Sequence, residues 1–357
     1  MMSIIAGFLS RMILLRFFVI LLAITMFVLT LEIVGLLGDI LKINPSAFVS
    51  VSQYALARSA GVMNTFLPFC LLLALLLSIT ELSYRNEMIA IWSTGISPSR
   101  LIVMLLPVAF VVGAIQFLIS DQAVPAAAPY LHDWGIGDYA TKSTRMNPGD
   151  PIWIRSGADV IQAKSVNADH TEMKNLIIFK RQADGLLMQQ LYVEDAKLVG
   201  DHWQLTNINV FDRNGRVPYH LNDMIYAGDI RLLSGAPTDD PQEMSIIQIN
   251  DYIAHDGYGQ RPIYVYQTWW HKRISPFIVA IIMISLCIPL STKFRRGGGL
   301  GPLLGIGVGM GFLFFVSDGV AASIGEIGLV TPWLAAWTPI IVFGAVAAGL
   351  VARTENA

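Results

Sequence analysis

The stretch best suited to chemistry is Thr80-Glu-Leu-Ser-Tyr84-Arg85-Asn-Glu87-Met88-Ile89-Ala-Ile-Trp92-Ser-Thr-Gly95. Met88, Ile89 and Trp92 recur at i, i+1 and i+4, on one face of a helix. Glu87 sits near its start, where a carboxylate suits the helix dipole, and Gly95 supplies a C-terminal stop. An acidic head beside an apolar face is docking chemistry. Such a segment either lies on a membrane surface or fits a groove on another protein, where its carboxylate meets a basic group or a helix end. A second set of candidates is isolated ionisable residues inside apolar runs. Glu32 and Asp318 are the deepest, whereas Asp39 and Glu326 fall near run ends. Intramembrane carboxylates of this kind either mark a transport path or pair with polar groups in the bundle.

The motifs of an enzyme acting alone are missing. The sequence has no G-x-x-x-x-G-K-[ST], no H-E-x-x-H and no G-x-S-x-G, which excludes a Walker-type phosphate loop, a zincin helix and a nucleophile elbow. The six histidines are scattered, and Cys70 and Cys287 both lie in apolar runs, so neither a metal site nor a disulfide framework is indicated. A net charge of −2 gives no basis for nucleic-acid binding.

The elements that must position these residues follow from charge distribution. Of 357 residues, 54% are apolar and 14% charged, with a mean hydropathy of +0.56; a soluble domain carries about 25% charged residues. Apolar runs of membrane-spanning length place six helices, at 17–38, 62–80, 101–120, 274–292, 300–320 and 333–351, around charge-free stretches at 62–80, 101–120, 274–292, 297–317 and 327–352, the first helix being the least clean because it contains Glu32. Arg11, Arg16, Arg85, Arg100, Lys293, Arg295, Arg296 and Arg353 fall on one side, which is then cytoplasmic with both termini. Residues 121–273 hold 14 basic and 19 acidic side chains, net −5, and read as a water-exposed insert on the other side. The plan is therefore residues 1–120 with three spans and the cytoplasmic helix 84–95, residues 121–273 as an outside domain, and residues 274–357 with three more spans.

The insert reads as β structure. Two strands flank Ser156-Gly-Ala-Asp159, another covers 175–180 and ends at Asp184-Gly185, and 188–193 and 202–210 alternate apolar with polar residues. Asp212-Arg-Asn-Gly215 is a turn signal. Short strands at ~10-residue spacing fit a sandwich or jelly roll. A short helix is expected near 245–254, before the chain returns to the fourth span. In the fifth span, Gly301, Gly305 and Gly309 form two overlapping G-x-x-x-G motifs, which let helices approach closely.

Arg85-Asn-Glu-Met-Ile-Ala-Ile-Trp-Ser-Thr-Gly95 resembles the coupling-helix motif of the lipopolysaccharide-export permease (LptF/LptG) family. Trp270-His-Lys272 with Pro276, Ile288-Pro-Leu-Ser291, Phe315-Val-Ser-Asp318 and Gly328-Leu-Val-Thr-Pro332-Trp-Leu-Ala-Ala-Trp337 carry the likeness through the second half, which is more similar to the G than to the F subunit. The resemblance implies an inner-membrane α-helical protein of six spans (3+3) with an inserted periplasmic β-jelly-roll domain, in a Gram-negative cell. Its implied partners are a second, F-type permease, a homodimeric cytosolic ATPase that binds ATP-Mg, a single-span jelly-roll subunit and a periplasmic bridge. The chain itself would be non-catalytic and carry no cofactor. Tyr84, Arg85, Glu87, Met88, Ile89, Trp92 and Gly95 would engage the ATPase. Lys42, Arg58, His132 and Asp318 would lie on the lipopolysaccharide path, His132 being the one basic side chain in Pro125–Asp133, where the family often carries arginines. Two further readings fit the layout: another lipid- or lipoprotein-extracting permease, or a membrane-anchored scaffold, which would not need the acidic docking helix.

Overall fold

A computed structural model describes residues 2–355 except 45, 140–151, 157, 167–170, 183–185, 201, 214–216, 229, 231–239, 255–260 and 294–299. The first half is built from α1 (Met2–Ile40), α2 (Ala47–Tyr84), the short α3 (Glu87–Ser93) and α4 (Pro98–Leu118). A π-turn over Ile119–Ala123 joins α4 to α5 (Val124–Trp134). Five helices are long and apolar enough to cross a membrane, and a bent pair, α7 (Ile263–Ile274) with α8 (Pro276–Lys293), makes a sixth with a 53° break. The last two spans are α9 (Leu300–Glu326) and α10 (Pro332–Glu355), so the described spans agree in number and order with the six apolar runs.

The helices are longer than those runs. The 39 residues of α1 span ~58 Å at 1.5 Å per residue, well beyond a hydrocarbon core of ~30 Å. The third span does not stop at 120, because α4 and α5 form one continuous helix from Pro98 to Trp134. Pro125 would clash with the carbonyl four residues back in a regular α-helix; the wider π-turn just before it accommodates the ring. Gly135 (φ 57°) ends this helix in the left-handed region.

Between the two halves lies one six-stranded antiparallel sheet in the order β1-β2-β3-β4-β5-β6. Its strands are β1 (Ile152–Ser156), β2 (Asp159–Val166), β3 (Glu172–Arg181), β4 (Leu187–Val199), β5 (His202–Asp212) and β6 (Tyr219–Tyr226). Consecutive strands pair as a meander, joined by links too short to skip a neighbour, which fits the inserted β domain expected for the middle of the chain. The turns at Asp184-Gly185 and Asn214-Gly215 lie outside the described residues.

The meander nevertheless encloses a core. Burial alternates along β3, β4 and β5, but each strand has two consecutive outward residues at the same level: 174–175, 194–195 and 206–207. Lys174, Asp195 and Thr206 stay paired in register, whereas the registers skip Asn175, Glu194 and Asn207 beside them; Asn175 (φ 53°) and Asn207 (φ 57°) adopt the left-handed conformation there, which asparagine tolerates better than most residues. This row creases the sheet. Ile161, Leu176, Ile178, Val193, Leu205 and Ile208 then face one another with almost no exposure. Tyr226 Oη on β6 donates to Asp159 Oδ2 on β2 (2.9 Å), across four strand positions that would be ~19 Å apart in a flat sheet. After β6 the chain returns through a single 3-10 turn (Pro241–Glu243) and α6 (Ile246–Ala254) to α7.

Candidate functional site

The two sets of candidate residues lie at opposite ends of the helical bundle. On the side that carries the sheet, a cavity of about 460 Å³ opens among α2, the π-turn, α7, α8 and α9. Its floor is apolar (Phe69, Met283, Phe314, Phe315), and Asn64, Thr65 and Gln116 give its wall polar groups. Arg58 enters from α2 and is bound through Nε to Glu32 Oε1 on α1 (2.7 Å). Tyr54 Oη donates to the same oxygen (2.7 Å), and the guanidinium lies 5.9 Å from the centre of the Tyr139 ring. Burial, followed by the nearby Glu243 charge, raises the Tyr139 pKa. Lys272 enters from α7; its Nζ is 2.8 Å from Asp318 Oδ2 on α9, and it sits 5.5 Å from the Trp269 ring centre. At the rim, Trp269 Nε1 donates to Glu326 Oε1 (2.7 Å).

One buried arginine organises the wall of this cavity. Arg273 Nη1 donates to Ser120 O in the π-turn, and Nη2 donates to the carbonyls of Pro241 (3.3 Å), Gln242 (2.7 Å) and Met244 (2.6 Å). Asp121 in the same π-turn accepts from Ile246 N at the start of α6 (2.5 Å). His132 Nε2 on α5 contacts Glu243 Oε2 at 2.7 Å, with both side chains buried. The helix that leaves the membrane half is thus fastened to the segment that returns from the sheet.

At the other end, α2 stops at Arg85, Asn86 turns the chain in the left-handed region (φ 60°), and α3 follows. Glu81 Oε2 pairs with Arg16 on α1, and Glu81 Oε1 with Arg85 (2.7 Å). Met88 is buried in the main helical core, with Ile91 and Trp92 packed against it. Tyr84, Arg85, Glu87, Ala90 and Ser93 are exposed. Gly95 (φ 77°) closes the segment, its N–H bonded to Trp92 O (3.0 Å). Ser97 caps α4 through Arg100 N (3.3 Å).

Comparison with known proteins decides the family. The profile of the lipopolysaccharide export system permease LptF/LptG family matches residues 8–353. The chain belongs to that family. The lipopolysaccharide export system permease protein LptG of Escherichia coli K12 is 20% identical over 314 residues, covering 85% of this chain and 86% of its own. The LptG of Haemophilus influenzae is 21% identical over 266 residues, covering 71% and 72%. Membership makes the chain a transport component and not a catalytic subunit, close to LptG.

Placed on this LptF/LptG permease, the sequence candidates separate. Arg58 and Asp318 reach the same cavity. Lys42 does not line it; it is exposed and paired with Asp39 one helical turn back (2.7 Å). His132 is likewise absent from the cavity lining, because its imidazole is spent on buried Glu243. Met88 does not point outward to dock a partner; it anchors α3 to the bundle. In α9, added Cβ atoms at Gly301, Gly305 and Gly309 would meet open space, whereas at Gly307 and Gly311 they would strike Leu76 and Leu72 of α2. Gly325 of α9 likewise faces Ala335 and Thr268, so the α9 glycines that pack this chain on itself are Gly307, Gly311 and Gly325. Sequence reasoning missed Lys272 and Arg273 as functional candidates, naming Lys272 only within the Trp270-His-Lys272 likeness. The signal available was the apolar run that begins directly after them.

Proposed function

We propose that this chain is the G-type permease subunit of an ATP-driven exporter that extracts lipopolysaccharide from the inner membrane and passes it toward a periplasmic β-structured bridge. Both termini and α3 face the cytosol, and the sheet lies in the periplasm. A separate dimeric ATPase grips the exposed residues of 84–95, in particular Glu87. An F-type permease completes the transmembrane unit, and a single-span jelly-roll subunit receives the cargo beside this chain's sheet.

The observation that carries this reading is the two-tone cavity in a chain of this family: aromatic and aliphatic side chains share its lining with the cations Arg58, Lys272 and Arg273 and the carboxylates Glu243, Asp318 and Glu326. Its walls match an acylated, phosphorylated lipid. Each CH₂ kept from water contributes roughly 0.8 kcal/mol, so an extractor must offer apolar walls along the route. The creased sheet continues that provision with an apolar interior. The test is a photoreactive residue at Gln116 in the assembled complex, reconstituted with lipopolysaccharide. Crosslinking that falls when ATP is added is expected, together with co-purification of a cytosolic ATPase that Glu87→Ala weakens. No crosslink at Gln116, with one forming at lipid-facing Phe27, would overturn the reading.

A further inference from the structure

Both exchangeable cations of the cavity are already occupied by carboxylates from neighbouring helices. Arg58 is held by Glu32 of α1 and Lys272 by Asp318 of α9. The other charged groups of the lining are engaged elsewhere: Arg273 with four carbonyls, Glu243 with His132, and Glu326 with Trp269. Each pair joins two elements, α1 to α2 and α7 to α9, and each is partly buried, with 22% and 22% exposure in one and 12% and 32% in the other. Partial burial keeps the attraction stronger than at an open surface and still lets a mobile anion approach.

We propose that Glu32 and Asp318 are displaceable internal counter-ions, standing where the phosphates of an anionic lipid headgroup bind and driving that headgroup off again. This rests on the cavity being the lipid path. Arg58 meets Glu32 through Nε and shares a side-chain hydrogen bond with Tyr139, so a phosphate competes with a neutral hydroxyl, and not with the carboxylate, for the terminal nitrogens of the fork. Lys272 is a compact point charge that exchanges one oxyanion for another without a set geometry. Entry of a phosphate separates each carboxylate from its cation. Return of α1 toward α2 and of α9 toward α7 restores the pairs and ejects the headgroup. An unpaired cation would hold phosphate more tightly and release it more slowly; the carboxylates set affinity low enough for turnover. The same logic accounts for an acid at position 32, next to a phosphate route, where its charge alone would repel cargo.

The prediction has an unusual sign, since removing an acid from the site increases cargo retention. Glu32→Gln keeps an acceptor for Tyr54 and Arg58 while deleting the charge, and Asp318→Asn does the same for Lys272. In the complete complex in nanodiscs, with the Gln116 photoprobe, each variant should retain about tenfold more lipopolysaccharide and release less lipid per ATP hydrolysed. Thermal unfolding of each variant checks that the fold is kept, and either variant alone suffices for the test. Equal or lower retention in folded variants, with normal crosslinking in the wild type, would sink this inference and leave the proposed function standing. No crosslinking in the wild type would remove the proposed function first. Lipopolysaccharide stripped of its phosphates should show no gain; an equal gain would overturn the assignment. Inorganic phosphate alone, tested on the Glu32→Gln/Asp318→Asn double variant, should not bind saturably; if it did, the site would be one for free anions and not for a lipid headgroup.

Discussion

The two ends of the helical bundle are fastened in opposite ways. On the sheet side, a single guanidinium gathers four carbonyls, a buried imidazole meets a buried carboxylate, and a π-turn aspartate caps a helix from another part of the chain. On the other side, α3 is seven residues long, enters through a left-handed asparagine and has Met88 as its apolar anchor, while one carboxylate of α2, shared between Arg16 and Arg85, ties the end of α2 to α1. Buried polar groups are expensive to leave unpaired, so the first end is rigid. Exposed ion pairs contribute little to stability, so the second is free to shift. The proposed function calls for this division: a movable grip where the ATPase would apply force, and a fixed root for the sheet that would receive the cargo.

The contrast can be broken at several points. Arg273→Met should be the most damaging change, because it strands four carbonyls that each cost roughly 1–3 kcal/mol unsatisfied. A large fall in the thermal midpoint in detergent is expected, and an unchanged midpoint would mean the root is not fixed by this side chain. His132→Phe should follow at ~3 kcal/mol, since it leaves Glu243 buried without its partner. Adding Glu243→Leu to it should recover most of the loss, which a double-mutant cycle in the same melt reads directly. Met88→Ala should cost ~2 kcal/mol, expressed locally; hydrogen exchange should speed up across 87–93 while the global midpoint barely moves. Glu81→Gln should change stability by less than ~1 kcal/mol yet lower lipid release per ATP, because the end of α2 that leads into α3 loses its charged tie to α1. If transport stayed at the wild-type level, the tie would be incidental. Lys42→Ala, at an exposed pair, should stay within ~0.5 kcal/mol of wild type and leave lipid crosslinking at Gln116 unaltered.

The spans were readable because an apolar run of about 20 residues has few alternatives in water, and five of the six strands were readable from alternation or turn residues. What escaped the sequence depended on distant partners. Strand β6 carries His220, Asn222 and Asp223 and looks like a loop until β5 is beside it. Pro125 reads as the end of a helix until the π-turn is seen to absorb it. His132 and Glu243 are 111 positions apart, so His132 looked like a free cation near the membrane surface. Met88 and Trp92 were correctly placed on one helical face, but periodicity does not say whether that face meets a partner or the protein's own core; Met88 meets the core. Lys272 and Arg273 adjoin each other, yet one lines the cavity in a pair and the other is buried among carbonyls, because neighbouring helix positions point ~100° apart.

The crease through Asn175, Glu194 and Asn207 has a consequence for how this module can change over time. Asn207 Nδ2 donates to Glu194 Oε2 beside it, and each strand shifts its inward set at the same level. Replacing one asparagine with a β-branched residue would straighten that strand while its neighbours stayed bent, tearing the ladder on both sides. The three positions therefore tolerate substitution as a group far better than singly, and their spacing is a constraint on insertions and deletions that no individual side chain reveals.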